Sequence, residues 1–306
     1  MSQELGYYST GRFLQFGGNI PGLHEYNIVN DKFVTLRDAD DFLVVSITPL
    51  DSEGGQIIDN NNSKGQITIP LTIRHPIIWK TVDGDKLIAT LFGGFPNITR
   101  ILVIDPDNYQ YQQYEGPNFV YQTMGIEGDV IYLSHAVNGH AMITGFNFVT
   151  GQIEYQQVPD NYAEHGMLGR MQDGTLVTAL APSLRNGGHV IKVVGIPDGR
   201  TVIEIEGDVI ILSMEGNGVF YTQCVLENCL STYGEHYFST YEGQQFHINL
   251  IDNDTGVKQG RSEIVAVSYG GDSIWVRPLG SDGGKHLVNY KRGGYRTQKS
   301  ARKVVF

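Results

Sequence analysis

The sequence predicts an all-β chain whose strands gather into small sheets packed around one axis. Three observations carry that prediction. Turn-separated apolar runs recur at a fixed interval, each interval holds several short β runs joined by hairpin signals, and no stretch shows convincing helical periodicity. Asp41 precedes FLVVS, Asp85 precedes KLIAT, Asp129 precedes VIYLS, Asp173 precedes GTLVTA and Asn217 precedes GVFYTQ, each 44 residues beyond the last. Asp272, before SIWVR, follows after 55, an interval with 11 extra residues. A near-identical pair, IEGDVIYLS (126–134) and IEGDVIILS (205–213), lies 79 residues apart and out of phase with this period. It reflects shared local chemistry, since Gly-Asp makes a tight turn and β-branched residues make a strand.

Four runs can be placed in each unit. Near Asp129 they are VIYLSHAV, AMITGFNF, QIEYQQV and HGMLGRM. Hairpins are expected at 101–114, 190–205, 248–260 and 286–298, each a pair of β runs around a turn. The run after each Asp or Asn turn is read as the innermost strand. One four-stranded sheet cannot bury both faces, whereas sheets packed around an axis can. The stretch KFVTLRDADDFLVVS (32–46) reads as an outermost strand running into the next innermost one. Its own sheet must then be completed by SIWVRPL, KHLVNYK and YRTQKS from the other end of the chain. Two further runs, GRFLQF and HEYNIV within residues 7–29, either thicken that closing sheet or build another.

A four-strand period of 40 to 45 residues is that of a β-propeller blade, and the pattern resembles the β-propeller superfamily over nearly the whole chain. The expectation is an all-β, six-bladed propeller of four-stranded blades, closed by N- and C-terminal strands in one blade, with seven blades as the alternative. Residues 1–306 form a single domain in this reading, and residues 1–30 an N-terminal extension that contributes to the closing blade. The Trp-Asp endings of WD40 repeats, the paired glycines of kelch repeats and the Asp boxes of sialidases are missing. With only Trp79 and Trp275 present, no subfamily is indicated.

Composition agrees with this architecture. Among 306 residues 41% are hydrophobic and only 18% charged, with 38 glycines and 17 tyrosines, which suits short strands and tight turns. A net charge of −11 disfavours nucleic acid as a partner. The start, MSQELGYYSTGRFLQFGG, lacks a basic stretch followed by an apolar run, so no secretory signal is expected. No apolar segment approaches the roughly 18 residues of a membrane span. Cys224 and Cys229 are too few for a disulfide scaffold, and their spacing fits buried free thiols better than a redox or zinc motif.

Several residue groups are candidates for chemistry. Asp41, Asp85, Asp129, Asp173 and Asp272 occupy the repeated turns and are expected to ring one mouth of the central channel. Convergent carboxylates would attract a cation or a basic partner, but Asp is also simply a preferred turn residue. His135, His140 and His189 map to the opposite face. Some propeller polysaccharide lyases hold a metal with such a cluster, although the spacing here is no metal motif. The segment from Asp252 to Gly256 resembles the start of a calcium loop without its distal ligands. The insertion 227–245 offers Tyr233, His236, Tyr237, Phe238 and Tyr241 as an aromatic binding loop. Lys291, Arg292, Arg296, Lys299, Arg302 and Lys303 make the C-terminal blade basic, either for docking an acidic surface or for protecting an edge strand.

A P-loop, a dinucleotide fingerprint, a nucleophile elbow and a His-Glu-x-x-His motif are all missing, and no cofactor is expected. The chain reads first as a non-enzymatic interaction protein. Its lysine-poor, Tyr-, Asn- and Gly-rich composition resembles that of bacteriophage virion proteins. That resemblance implies a tail, fibre or capsid-associated component, in the virion or the cytoplasm, that docks other subunits and contacts host glycans. A polysaccharide lyase or hydrolase using the histidine face is the alternative.

Overall fold

The computed structural model describes residues 3–293 apart from 17–25, 51–55, 59–64, 94–97, 118–121, 138–139, 158–161, 164–166, 183–189, 197, 215, 224–233, 261, 269 and 279–285. All regular structure among the described residues is β. The chain opens with β1 (Gln3–Phe16). A first sheet contains β2 (Tyr26–Val29), β3 (Lys32–Ala39), β4 (Phe42–Pro49) and, past the short β5 (Gln56–Ile58) that pairs with β1, β6 (Gly65–Pro70). The second contains β7 (Ile77–Asp83), β8 (Lys86–Gly93), β9 (Ile98–Asp105) and β10 (Gln110–Gly116). The third contains β11 (Gln122–Glu127), β12 (Val130–Val137), β13 (His140–Asn147) and β14 (Gln152–Gln157). In the fourth, β15 (Tyr162–Ala163) and β16 (Leu168–Arg170) both pair with β17 (Leu176–Pro182), followed by β18 (Val190–Ile196) and β19 (Thr201–Glu206).

The largest sheet has two antiparallel halves. One is β20 (Val209–Ser213), β21 (Gly218–Gln223), β22 (Glu235–Thr240) and β23 (Gln245–Ile251). The other is β24 (Ser262–Val267), β25 (Ser273–Pro278) and β26 (His286–Arg292), and β1 joins the halves. Together the sheets form a β-propeller. First strands line a narrow central channel, where Ile28, Thr81, Met124, Leu168, Ser213 and Ala266 from successive strand groups meet.

The central strands of the sheets are covered on both faces, so they read as continuous apolar runs, whereas outer strands such as β6 and β19 alternate. In β8 five consecutive residues are buried. Leu87, Ala89 and Leu91 pack on Val34, Leu43, Val45 and Ile47 of the preceding sheet. Ile88, pointing the other way, packs on Ile131 and Leu133 of the following one. Similar clusters fill each seam in turn, and the last one, Leu14, Phe33, Leu50, Trp275 and Leu287, joins the final sheet back to the first.

The strand phase differs from the sequence expectation. The turns at Asp85, Asp129, Asp173 and Asp272 join the first strand of a sheet to its second, not an outer strand to an inner one. The inner strand is therefore the run before the turn. HGMLGRM accordingly supplies β16 at the start of the fourth sheet. Asp41 is a second departure, because it lies between β3 and β4, the second and third strands. The equivalent turn is Asn30–Asp31, where both residues take left-handed φ values of 44° and 56° in a two-residue hairpin. Asp31 to Asp85 spans 54 residues, because a long excursion separates β4 from β6. The position 44 residues before Asp85 therefore falls in the β3–β4 turn, one hairpin past the equivalent one.

The N- and C-terminal strands do share one sheet, but with a different partner from the expected one. The segment 32–46 forms the hairpin β3–β4 of the first sheet. It is β1, containing GRFLQF, that pairs antiparallel with β26 from Tyr7↔Arg292 to Gln15↔His286, with a bulge between Ser9 and Phe13 where Gly11 takes a φ of 75°. The run YNIV becomes β2. The first residues of β1 also pair in parallel with β23, Gln3↔Phe246 to Tyr8↔Ile251. The predicted partner of β23, residues 257–260, makes a single bridge at Lys258. YRTQKS lies outside the described residues, as do Cys224 and Cys229.

Tyr7 is the anchor of β1. It is fully buried, packs edge-on against Phe220, and donates its hydroxyl to the Gly271 carbonyl at 2.5 Å. Tyr7→Ala is expected to lower unfolding free energy by about 3–5 kcal/mol, and Tyr7→Phe, which loses only the hydrogen bond, by about 1–2 kcal/mol. Urea denaturation with an unchanged m-value measures both.

Candidate functional site

The first-to-second-strand turns lie at one end of the channel. Arg170, at the end of β16, reaches across β11 to β7, donating to Glu127 Oε2 at 2.8 Å, to the Ile126 carbonyl at 2.6 Å and to Asp83 Oδ1 at 3.3 Å. Asp83 also accepts from the Ile126 amide at 2.6 Å. Burial opposes the Arg170 charge, but Asp83 and Glu127 overcome that and hold its pKa above the usual guanidinium range. This clamp ties three inner strands together. Asp83→Asn should cost about 1–3 kcal/mol of stability, because it removes the charge opposite a half-buried guanidinium; thermal denaturation, with Asp85→Asn as the exposed control, reads the difference.

Beyond the clamp, at the seam where the last sheet meets the first, lies a cavity of about 290 Å³. Its floor is apolar, with Ile28, Val82, Ala266 and Val267 from three inner strands. Its rim is charged, with Arg12 from β1, Asp31 from the β2–β3 turn, Asp272 before β25 and Lys291 from β26. The Arg12 guanidinium lies 5.6 Å from the Trp275 ring centroid, donates to the Leu50 carbonyl at 3.2 Å and faces Asp31 at 3.5 Å. Both ends of the chain therefore build this site.

The predicted site residues fall into distinct places. Of the turn carboxylates, Asp272 enters the cavity rim. Asp85 pairs with Lys86 at 3.1 Å, and Lys86 also holds Asp105 at 2.7 Å, lowering the Asp105 pKa. Asp173 is exposed and is kept acidic by the Thr175 backbone and hydroxyl. Asp129 remains in its turn before β12. Asp41 is on the opposite face, 3.8 Å from Arg74, because its turn is at the far end of β3. Among the described residues no three His, Cys, Asp or Glu side chains approach closely enough to share a metal ion. The Asp252 carboxylate is occupied by its own turn, accepting from the Asp254 and Thr255 amides and the Thr255 hydroxyl.

The backbones of His135 and His140 lie at facing ends of β12 and β13, and His189 is outside the described residues. Of the basic group, Lys291 lines the cavity. Arg292 is half-buried, with its guanidinium 5.9 Å from the Phe238 ring centroid. Arg296, Lys299, Arg302 and Lys303 lie outside the described residues.

The aromatic binding loop is corrected by the structure. Residues 235–240 form β22, and His236, Phe238 and Tyr241 are 4%, 2% and 3% exposed. They are core side chains, because the run sits between β21 and β23. Tyr237 is partly accessible and stacks on Tyr221, while Tyr233 lies outside the described residues. Arg12, Asp31 and Trp275 were not anticipated as site residues. The signal for Asp31 was the Asn-Asp turn, which matches the other channel-mouth turns in chemistry but not in interval.

His236 is a buried neutral histidine. Its Nε2 donates to the Ser262 carbonyl at 3.1 Å, which leaves Nδ1 to accept the Thr222 hydroxyl at 3.0 Å. Burial lowers its pKa to about 4, below the ordinary 6.5. Between these values the unfolded chain binds the extra proton, so the contribution is complete above about pH 6.5 and is lost as pH falls towards 4. The loss should reach about 3 kcal/mol. His236→Gln should show a flatter stability profile over that window in chemical denaturation at stepped pH.

No protein-family model matches the chain, and no curated protein matches it by sequence. Solved structures resemble it in shape. Hydrazine synthase of Kuenenia stuttgartiensis aligns at a TM-score of 0.44 and 12% identity, over 88% of this chain and 74% of that one. TolB from Acinetobacter baumannii aligns at 0.44 and 12%, over 86% and 63%. The β-propeller domain of the Trilobed protease from Pyrococcus furiosus aligns at 0.41 and 11%, over 67% and 64%.

Proposed function

We propose that the chain is a single six-bladed propeller working as a non-enzymatic interaction protein, and that it is a tail, fibre or capsid-associated component of a bacteriophage virion. Each half of the largest sheet counts as one blade in this reading, with β1 completing the second. One observation supports docking in particular. Among the described residues, the outer strands β10 and β14 of neighbouring sheets pair on one side only. They carry QYQQYEG and QIEYQQ, largely amide and tyrosine side chains, and Ile153 is 46% exposed. An open strand edge offers backbone hydrogen bonds to another chain, and such side chains give adaptable contact area around it. The composition supports the virion assignment, and of the candidate loop aromatics that are described, Tyr237 alone is partly accessible, so a host-glycan contact in that loop would use it.

Purified particles should contain the protein at a fixed copy number that survives a density gradient. Absence from particles carrying every other structural protein would sink the virion assignment. Loss of copies on Ile153→Lys, in a protein that still folds, would identify the β14 edge as the docking surface.

A further inference from the structure

We propose that the cavity at the closing seam is a binding seat for a small zwitterion, a free α-amino acid or short peptide with an apolar side chain. The rim carries two cations, Arg12 and Lys291, and two carboxylates, Asp31 and Asp272. A simple anion would face both carboxylates and a simple cation both basic groups. A neutral ligand would strip water from charges it cannot compensate. A molecule with one charge of each sign matches the rim.

The charges are only partly used by the protein itself. Asp272 and Lys291 are exposed and form no ion pair among the described residues. Arg12 Nε is buried without a hydrogen-bond partner, although the outer nitrogens of the same guanidinium are engaged by Leu50 and Asp31. Below the rim, Ile28, Val82, Ala266 and Val267 offer a floor that would accept an aliphatic side chain. The 290 Å³ volume is just below the range for drug-sized ligands, which starts at about 300 Å³, and fits a dipeptide better than a larger ligand.

The seat also has a mechanical consequence. Its rim is drawn from β1, the β2–β3 turn and the strands β25 and β26, so an occupant would bridge both ends of the chain. Binding to the closed ring and not to an opened one stabilises closure by mass action.

The test is isothermal titration with glycyl-L-leucine, compared with N-acetyl-L-leucine, L-leucinamide and N-acetyl-L-leucinamide. The dipeptide should bind, and the analogues lacking one or both charges should bind about tenfold more weakly or worse. Asp272→Asn and Lys291→Met are at exposed positions, and each should weaken dipeptide binding about tenfold without changing the far-UV circular dichroism. Bound dipeptide should slow amide exchange in β1 and β26. No heat with millimolar dipeptide overturns the proposal. So does equal binding by the doubly blocked analogue, or unchanged affinity in both folded variants.

Discussion

A sheet that is apolar on both faces must be covered twice, and this constraint governs the whole molecule. An open row of such sheets would leave one face exposed at each end. Here the two exposed faces would present Phe33 and Leu50 at one end and Leu14, Trp275 and Leu287 at the other, and they are instead packed together. Each such side chain contributes about 1.5–3 kcal/mol when fully buried. Five of them together therefore represent about as much as the entire net stability of an ordinary domain, roughly 5–15 kcal/mol. Ordering β1 offsets part of that gain, but the comparison shows why the ring cannot be left open. The long N-terminal strand serves both sides of its position, parallel to β23 and antiparallel to β26.

Much of this was legible in the sequence, since turn chemistry and apolar runs are local. KLIATLF between a Gly-Asp turn and a Gly-Gly pair can hardly be anything but a buried strand, and β8 is one. Strand order within a sheet was less legible, because a hairpin turn looks the same whether it joins strands one and two or strands two and three. Asp31 and Asp41 illustrate this, each sitting in a tight turn between β-branched or aromatic runs at opposite ends of β3. Only the channel lining, which includes β2, separates them. The closing strand is hidden in the sequence for a related reason. A parallel pairing such as Tyr7↔Leu250 joins residues 243 apart and leaves no turn signal in the sequence.

The aromatic run 233–241 teaches a different lesson. Tyrosine and phenylalanine serve equally well as interface anchors and as core fillers, so composition alone cannot assign them. Alternation along the strand separates the two roles. His236, Phe238 and Thr240 share one face of a strand and are all buried, whereas Glu235 on the other face is exposed and Tyr237 only partly covered. A histidine in that buried row is a structural group held neutral by desolvation, and its hydrogen bonds to Thr222 and Ser262 explain why it is tolerated there.

Repetition also bears on where a specific site can arise. A turn carboxylate repeated around a mouth is mostly consumed locally, as Asp85 is by Lys86 and Asp173 by Thr175. Such a ring shapes the field at one end without creating a pocket. The closing seam differs, because β1, parallel to β23 on one side and antiparallel to β26 on the other, has no counterpart among the described strands of the other sheets. That strand places Arg12 against Trp275 and beside the Asn30–Asp31 turn, in the same cavity as Asp272 and Lys291, which the β25–β26 ladder sets near each other through Ser273↔Lys291. The strand that completes the core is thus also the one that makes one mouth position unlike the rest, Leu14 serving the closing cluster and Arg12 the cavity from the same β1.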